Sequence, residues 1–553
     1  MAAGHFGKTS DIKTQFTVRD GTYRQASRPS FDRIPRSPSN ALRIPPIRAS
    51  FLNLKGAASS SSVQERILFN IGRDLFFYPF PGLDKQVDVT RPLDKRVYKG
   101  TYPTCHDFNL MTRSWESVQL IIGFSTGPVQ LMNPIRREVL RLFNEQTLID
   151  KTQAMCIKWV QSTEAEFLVA HRSGYMYLYN AELPCSSHPP HYAVTKQSGD
   201  VIVSHNKSKG KNPVCRWRIS QTGINQFEFS PNLKLVAFAS QDGFLRVVNY
   251  ETYEVVGQMK MYFGGLLCLA WSPDGLYIAV GGEMDVIVIW SVVDRQPVAQ
   301  GEAHRSWVNV IRFDSYLYGH AGRRLSVWND DGGGGGGGGG GSGDEDRDEG
   351  DEEEAVNHDG LLQPVKYRLG SVGQDAHLVL WDLFEEDLIS GGVSSKSRSL
   401  LRAARQLSLH GRSFRTPTTV AAAAVANHIE AGNEELTVTA TADSSSSNRV
   451  DGEDGSDSSG LVTLTASVMQ ELNAVSPLVN KRVSSDYVTD LIFREECAVI
   501  VSQDGAIRFW ARPKCTDSID AASDEGKQQD QPRTLAEQAG SNGRDDSPPG
   551  TVV

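Results

Sequence analysis

Five features of the chain are built from residue types that can do chemistry. The glutamate run 352–354 could supply paired carboxylates for acid–base work. His106, His171, His304 and His377 could ligate a metal, and the adjacent Cys105 and His106 could make an activated thiol. Ten consecutive glycines, 332–341, could cradle a phosphate, and Lys207-Ser-Lys-Gly-Lys211 could meet a nucleic acid. Each fails on its surroundings. The glutamates belong to a block, 344–354, that holds nine carboxylates against one arginine and repels itself in water. The histidines fall at no metal-ligand spacing, and Cys105-His106 has no evident orienting partner. The glycine run lacks the preceding strand, the Gly-Lys-Ser/Thr ending and the helix that a phosphate loop needs. The basic patch is short and reads as a solvated loop. No catalytic residue, metal site or cofactor is expected, and the chain reads as a non-enzyme.

Composition agrees. Across 553 residues, Lys+Arg 57 stands against Asp+Glu 66, a net charge of −9 that comes almost wholly from the 344–354 block. The near-neutral remainder argues against a nucleic-acid footprint. Seven scattered cysteines make neither a disulfide framework nor a metal pair. The first twenty residues carry no apolar h-region, and no stretch approaches the ~18 apolar residues of a membrane span. The expectation is a soluble protein of the cytoplasm and nucleus, with no membrane, nucleic acid or small-molecule substrate.

The elements that would position any functional residue are short strands. Runs rich in Val, Ile, Tyr, Phe and Trp recur between glycine-containing turns, and convincing helical periodicity is missing. The runs repeat. Ser173-Gly-Tyr-Met-Tyr-Leu-Tyr179, Asp242-Gly-Phe-Leu-Arg-Val-Val248, Asp375-Ala-His-Leu-Val-Leu-Trp381 and Asp504-Gly-Ala-Ile-Arg-Phe-Trp510 share a turn followed by an alternating strand. Further strands stand upstream, and the unit recurs at roughly 45 residues where nothing is inserted. One unit carries a full polar set: His304, then Ser371 and Asp375 ten and six residues before Trp381, with Asp382 after it. In a propeller blade such side chains form a buried hydrogen-bond chain, which stabilises only if every member is satisfied.

The pattern predicts an all-β, seven-bladed WD-repeat β-propeller with disordered insertions. Blades are expected near 63–98, 99–149, 150–220, 221–259, 260–302, 303–384 and 484–513. Segment 1–23 is a candidate ring-closing strand, 24–50 a Pro/Arg/Ser-rich linker, and 51–330 carries blades one to five and the start of the sixth. Segment 331–360, the glycine and acidic block, would interrupt the sixth blade, which resumes over 361–384. Segment 385–483 reads as a mostly disordered Ser/Ala/Thr-rich insertion, 484–513 as the last blade and 514–553 as a disordered tail. Alternatively, Arg324-Leu-Ser-Val-Trp328 could make a strand of its own. The last blade needs an outer strand from the N-terminal side, either 12–18, which is preferred, or 49–54.

A propeller is a platform, and aromatic residues in its connecting loops are natural anchors for a protein partner. Tyr262 and Phe263, in Met261-Tyr-Phe-Gly-Gly265, and Trp307, in His304-Arg-Ser-Trp307, precede the first strands of consecutive blades at what reads as an equivalent position. They should emerge close together on one face.

Several less generic segments carry a resemblance. Asp11-Ile-Lys-Thr-Gln-Phe-Thr17, Asp94-Lys-Arg-Val-Tyr-Lys-Gly100, Pro103-Thr-Cys-His-Asp-Phe-Asn109, Tyr262-Phe-Gly-Gly265 and Arg368-Leu-Gly-Ser-Val-Gly-Gln-Asp375 resemble the dystrophia myotonica WD-repeat protein family, including its close WD-repeat paralogue. The fungal carbon catabolite repression protein CreC is similar, and the glycine and alanine runs look like those of a plant version. The resemblance covers about 11–384 and 484–513. It implies a non-catalytic subunit that binds and stimulates a ubiquitin-specific protease already held by a second WD-repeat activator. It also implies that Phe263 and Trp307 contribute to that contact. The alternatives are a substrate receptor of a cullin-type ubiquitin ligase or a generic interaction scaffold. The first is weakened because Leu383 and Phe384 stand where such receptors often place an Arg two residues after Trp-Asp.

Overall fold

A computed structural model describes residues 12–28, 31, 45–54, 64–317, 365–388 and 461–513. The expected disordered stretches 331–360, 389–460 and 514–553, and the strand considered at 324–328, lie outside the described residues. Within them the strands gather into seven sheets, the blades of a propeller. Each blade is built on four antiparallel strands; in the third the fourth of these is Cys215–Arg218, and the hairpin of Tyr192–Ser198 and Val201–Asn206 adds two more outside it. The first runs Ala49–Leu54, Gln64–Ile71, Asp74–Phe80 and Asp94–Val97 from the inside outwards. The fifth runs Leu266–Trp271, Tyr277–Gly282, Val286–Ser291 and Gln296–Glu302.

The blades hold together because their second and third strands are largely apolar on both faces, so each sheet packs a neighbour on either side. Seven clusters of buried side chains result, one between each pair of adjacent blades. Trp290 and Trp381 are fully buried and reach towards the outer strand of the preceding blade. Glycine makes room for each: a Cβ on Gly257 would stand 2.8 Å from the Trp290 ring, and one on Gly301 2.5 Å from that of Trp381.

Ring closure differs from the expectation. The strand that pairs with Ile507–Ala511 is Gly21–Gln25, with Arg24 opposite Ala511 and Gln25 opposite Trp510. The favoured segment 12–18 lies one strand further out, as Gln15–Val18, in a hairpin whose two-residue turn ends at Gly21 with φ 123°. The other candidate, 49–54, is the innermost strand of the first blade, which therefore starts before residue 63. Segment 24–50 is also more than a linker: Phe31 is buried against Phe69 and Tyr78, and Arg48 Nη1 donates to the Thr489 carbonyl at 2.9 Å.

The second difference concerns 385–483. Its described part, 461–483, is a strap laid around the outer edges of three blades. Leu461–Thr463 adds in parallel to Val255–Lys260 of the fourth blade. A short helix, Ala466–Glu471, is capped by Thr465, whose side chain accepts from the Val468 amide. Asn473–Ala474 then adds in parallel to the fifth blade, and Val479–Arg482 pairs with His377–Leu383 as the outer strand of the sixth.

Candidate partner-binding face

In each blade the turn between the second and third strands lies at the same end as the loop entering the first strand, since the strands alternate in direction. One backbone bond recurs at that end. Gln241 N donates to Gly223 O at 2.8 Å, Glu283 N to Gly265 O at 2.9 Å, Gln374 N to Trp307 O at 2.9 Å and Gln503 N to Tyr487 O at 2.8 Å. The bond defines matching positions in successive blades, each one residue before an inner strand.

The sixth blade adds the side-chain chain read from the sequence. Trp381 Nε1 donates to Ser371 Oγ at 2.9 Å, Ser371 Oγ lies 2.8 Å from His304 Nε2, and His304 Nδ1 lies 3.0 Å from Asp375 Oδ2. Donors and acceptors balance if the serine donates to Nε2 and the ring donates from Nδ1 to the carboxylate. His304 and Ser371 are buried and the serine oxygen is already bonded twice, so the set braces a loop and does not face a substrate. Burial pushes the Asp375 carboxyl up, but its bonds from His304 and from the amides of Arg305 and His377 outweigh this and leave it below its ordinary value.

Two other blades solve the same problem with different residues. In the fourth, Arg246 donates from Nη2 to Asp242 Oδ2 at 2.9 Å and from Nη1 to Ser240 Oγ at 3.0 Å, and Ser220 bonds the same carboxylate at 2.7 Å. In the seventh, Arg508 reaches Ser502 Oγ at 3.1 Å, and Ser502 donates to Asp504 at 2.6 Å. An arginine four residues after the turn aspartate thus takes the bracing role of His304 and Trp381.

The loops entering the fifth, sixth and seventh blades carry exposed aromatic side chains. In 261–265, Gly265 N donates to Glu283 Oε2 at 2.9 Å, and Gly264 takes φ 69°. A Cβ on Gly264 would meet Glu283 Cβ at 2.8 Å, so glycine is what lets the loop tuck under that turn. The tuck expels the two preceding side chains: Tyr262 is 59% exposed and Phe263 68%. On the next loop Trp307 is 42% exposed while its carbonyl is tied to Gln374. The sequence-selected aromatics therefore share one face on consecutive loops. They do not share one position, however. Leu266 and Val308 begin matching strands, each just before a bulge, so Trp307 sits one residue before its strand and Phe263 three before.

Sequence reasoning missed Tyr487, 40% exposed on the next loop and matched to Trp307 by the recurring backbone bond. Its signal was present: an aromatic stands directly before Val488 as Trp307 stands before Val308, with Gln503-Asp504 mirroring Gln374-Asp375.

The chemical candidates dismissed earlier occupy structural places. Cys105 is half-buried, and the lost solvation pushes its thiol up to about 12, while burial lowers His106 to about 3 with Ser50 Oγ 2.9 Å from its Nε2. His171 is buried, with Nδ1 3.0 Å from the Thr152 carbonyl. Lys207, Lys209 and Lys211 are exposed on a hairpin tip. Among the described residues no group of three or more His, Cys, Asp or Glu could hold a metal. A cavity of about 900 Å³ opens at the opposite end of the first, second and seventh blades, where Arg494 pairs with Glu65 at 2.6 Å and lies over Phe51. The glutamate run and the glycine run lie outside the described residues.

A family model described as WD domain, G-beta repeat matches residues 257–291. WD repeat-containing protein 20 of Mus musculus is 35% identical over 563 residues, covering 93% of this chain and 99% of that protein. The WD repeat-containing protein 20 homolog of Caenorhabditis elegans is 30% identical over 672 residues, covering 95% and 87%. A solved chain from the crystal structure of the mitotic checkpoint complex covers 87% of this chain and 99% of its own, at 9% identity and a TM-score of 0.44, too loose a likeness to carry an argument.

Proposed function

The chain belongs to the WD repeat-containing protein 20 family, and on that footing we propose that this WD-repeat scaffold docks a ubiquitin-specific protease and raises its activity. The observation that carries the reading is the set of exposed aromatics, Tyr262, Phe263 and Trp307, on adjacent loops that are rigidly braced from below. Large aromatic side chains fixed on a scaffold lose little entropy on binding and supply most of an interface's energy. The scaffold contributes no catalytic group; all the chemistry belongs to the partner. Stimulation requires the scaffold to bind the protease's active arrangement more tightly than its inactive one, which shifts the population towards the former. A second WD-repeat activator can share the protease, and the proposal has the complex work in cytoplasm and nucleus. The finer kinship with the dystrophia myotonica WD-repeat protein and CreC, and a plant source, belong to the same proposal.

Affinity purification of the full chain tests it. A captured ubiquitin-specific protease, labelled by a ubiquitin-based active-site probe and faster on a fluorogenic ubiquitin substrate when the chain is added, is the expected result. Phe263→Ala with Trp307→Ala should abolish capture while the melting temperature is kept. Full capture by the double variant overturns the interface, and recovery of a cullin adaptor in place of a protease overturns the function.

A further inference from the structure

We infer that Tyr487 is a third anchor of the docking face, so that the partner surface spans the three consecutive loops between the fourth and seventh blades. This rests on the docking role proposed above and extends it to the loop that enters the seventh blade.

The case is one of register. Tyr487 O accepts from Gln503 N at 2.8 Å as Trp307 O accepts from Gln374 N at 2.9 Å, and each residue stands directly before an inner strand that bulges after its first residue. The two side chains therefore leave the same kind of backbone at the same place in adjacent blades, and their exposures, 40% and 42%, match. At this position the fourth and fifth blades have Gly223 and Gly265. The fifth blade recovers an aromatic by another route, through the Tyr262 and Phe263 expelled from the same loop. Three neighbouring loops thus each present an exposed aromatic, with Trp307 in the middle and a phenol at either end.

The loops are also mechanically joined. Leu464 N donates to Lys260 O at 2.9 Å at the foot of the first loop, and Asn480 Nδ2 donates to Ala303 O at 2.8 Å at the foot of the second. The same strap continues through Val483 into the third loop, which ends at Tyr487. One segment therefore grips two loops and becomes the third, which fixes the three anchors relative to one another. Such an array suits a folded partner with a continuous apolar strip edged by groups that can bond the phenols, and not a short peptide engaging one loop.

The test measures affinity of the full chain for the ubiquitin-specific protease it captures. Tyr487→Ala should weaken binding by roughly 10-fold or more, as loss of an anchor does. Tyr487→Phe should restore most of it, which also reports on folding, since the ring packing is kept. Trp115→Ala, an exposed aromatic in the loop after the second blade's first strand, should leave affinity unchanged. If Phe263→Ala with Trp307→Ala loses binding while Tyr487→Ala binds like wild type, the third anchor is overturned and the docking role stands. If the double variant also binds fully, the docking role fails and this inference fails with it.

Discussion

At Asp375 one carboxylate ties two pieces of the aromatic-bearing face together. It accepts from His304 on the loop entering the sixth blade, from the Arg305 amide, and from the His377 amide of its own turn. These bonds hold its folded value below its ordinary one, and the same holds for Asp242 and Asp504 in the arginine-braced blades. The sign follows. Above the ordinary carboxylate value of 3.8 both folded and unfolded forms are ionised, and the stabilisation is fully present. As pH falls below it the unfolded chain takes up protons first, and the stabilisation fades until the folded carboxyls protonate too. Asp375→Asn should cost about 1–3 kcal/mol at pH 7 and flatten the fall of stability between pH 5 and pH 3, as read by urea unfolding. An acid limb as steep as wild type would remove Asp375 from the account.

Among the elements, the strap gives the plainest test. Leu464 is buried in the cluster that holds Met261 and Trp290, just where the strap meets the fourth blade. Leu464→Asp places an unpaired carboxylate there and should free 461–474 from the rim while the inner strands stay folded. Hydrogen exchange should quicken across 255–265 and 461–474 and stay unchanged in the second blade; unchanged exchange in both segments would show that the strap holds without this contact. The strap also marks where the sequence stopped being legible. Middle strands such as Tyr277–Gly282 and Val286–Ser291 are apolar on both faces and bounded by glycine turns, so type and place can be read directly. Asn473–Ala474 is two residues long, and Val479–Arg482 is mostly polar. Such pieces exist only because a blade edge is waiting for them, and no local periodicity announces that. Gly21–Gln25 was missed for the same reason, whereas His304, Ser371, Asp375 and Trp381 were readable because their spacing repeats a unit.

For the molecule as a whole, integrity rests on how the last blade is finished. Tyr23 is buried, stacks on Phe16 at 5.0 Å and accepts from Arg512, which is paired at 2.6 Å with Asp314 of the sixth blade. Arg368 adds a second tie, bonded to Asp382 at 2.7 Å and to Asp20 in the N-terminal hairpin at 2.5 Å. Tyr23→Ala should cost about 3–5 kcal/mol in guanidinium unfolding, as loss of a large buried aromatic does. It should also leave Ile507–Ala511 as a bare edge, so light scattering should show self-association that wild type lacks. A monomeric variant of unchanged stability would place closure elsewhere.

That closure has a consequence in time. The strands that finish the ring are made first and last: Gly21–Gln25 must wait for Ile507–Ala511, nearly five hundred residues later. At about 5–20 residues per second the wait lasts on the order of half a minute to a minute and a half. Throughout it Phe16 lacks Trp510 and Tyr23 lacks Arg512, their partners from the last blade. The newborn chain therefore spends its synthesis as an open arc with a sticky leading end, the stage at which it most needs a chaperone and at which two nascent copies could exchange hairpins.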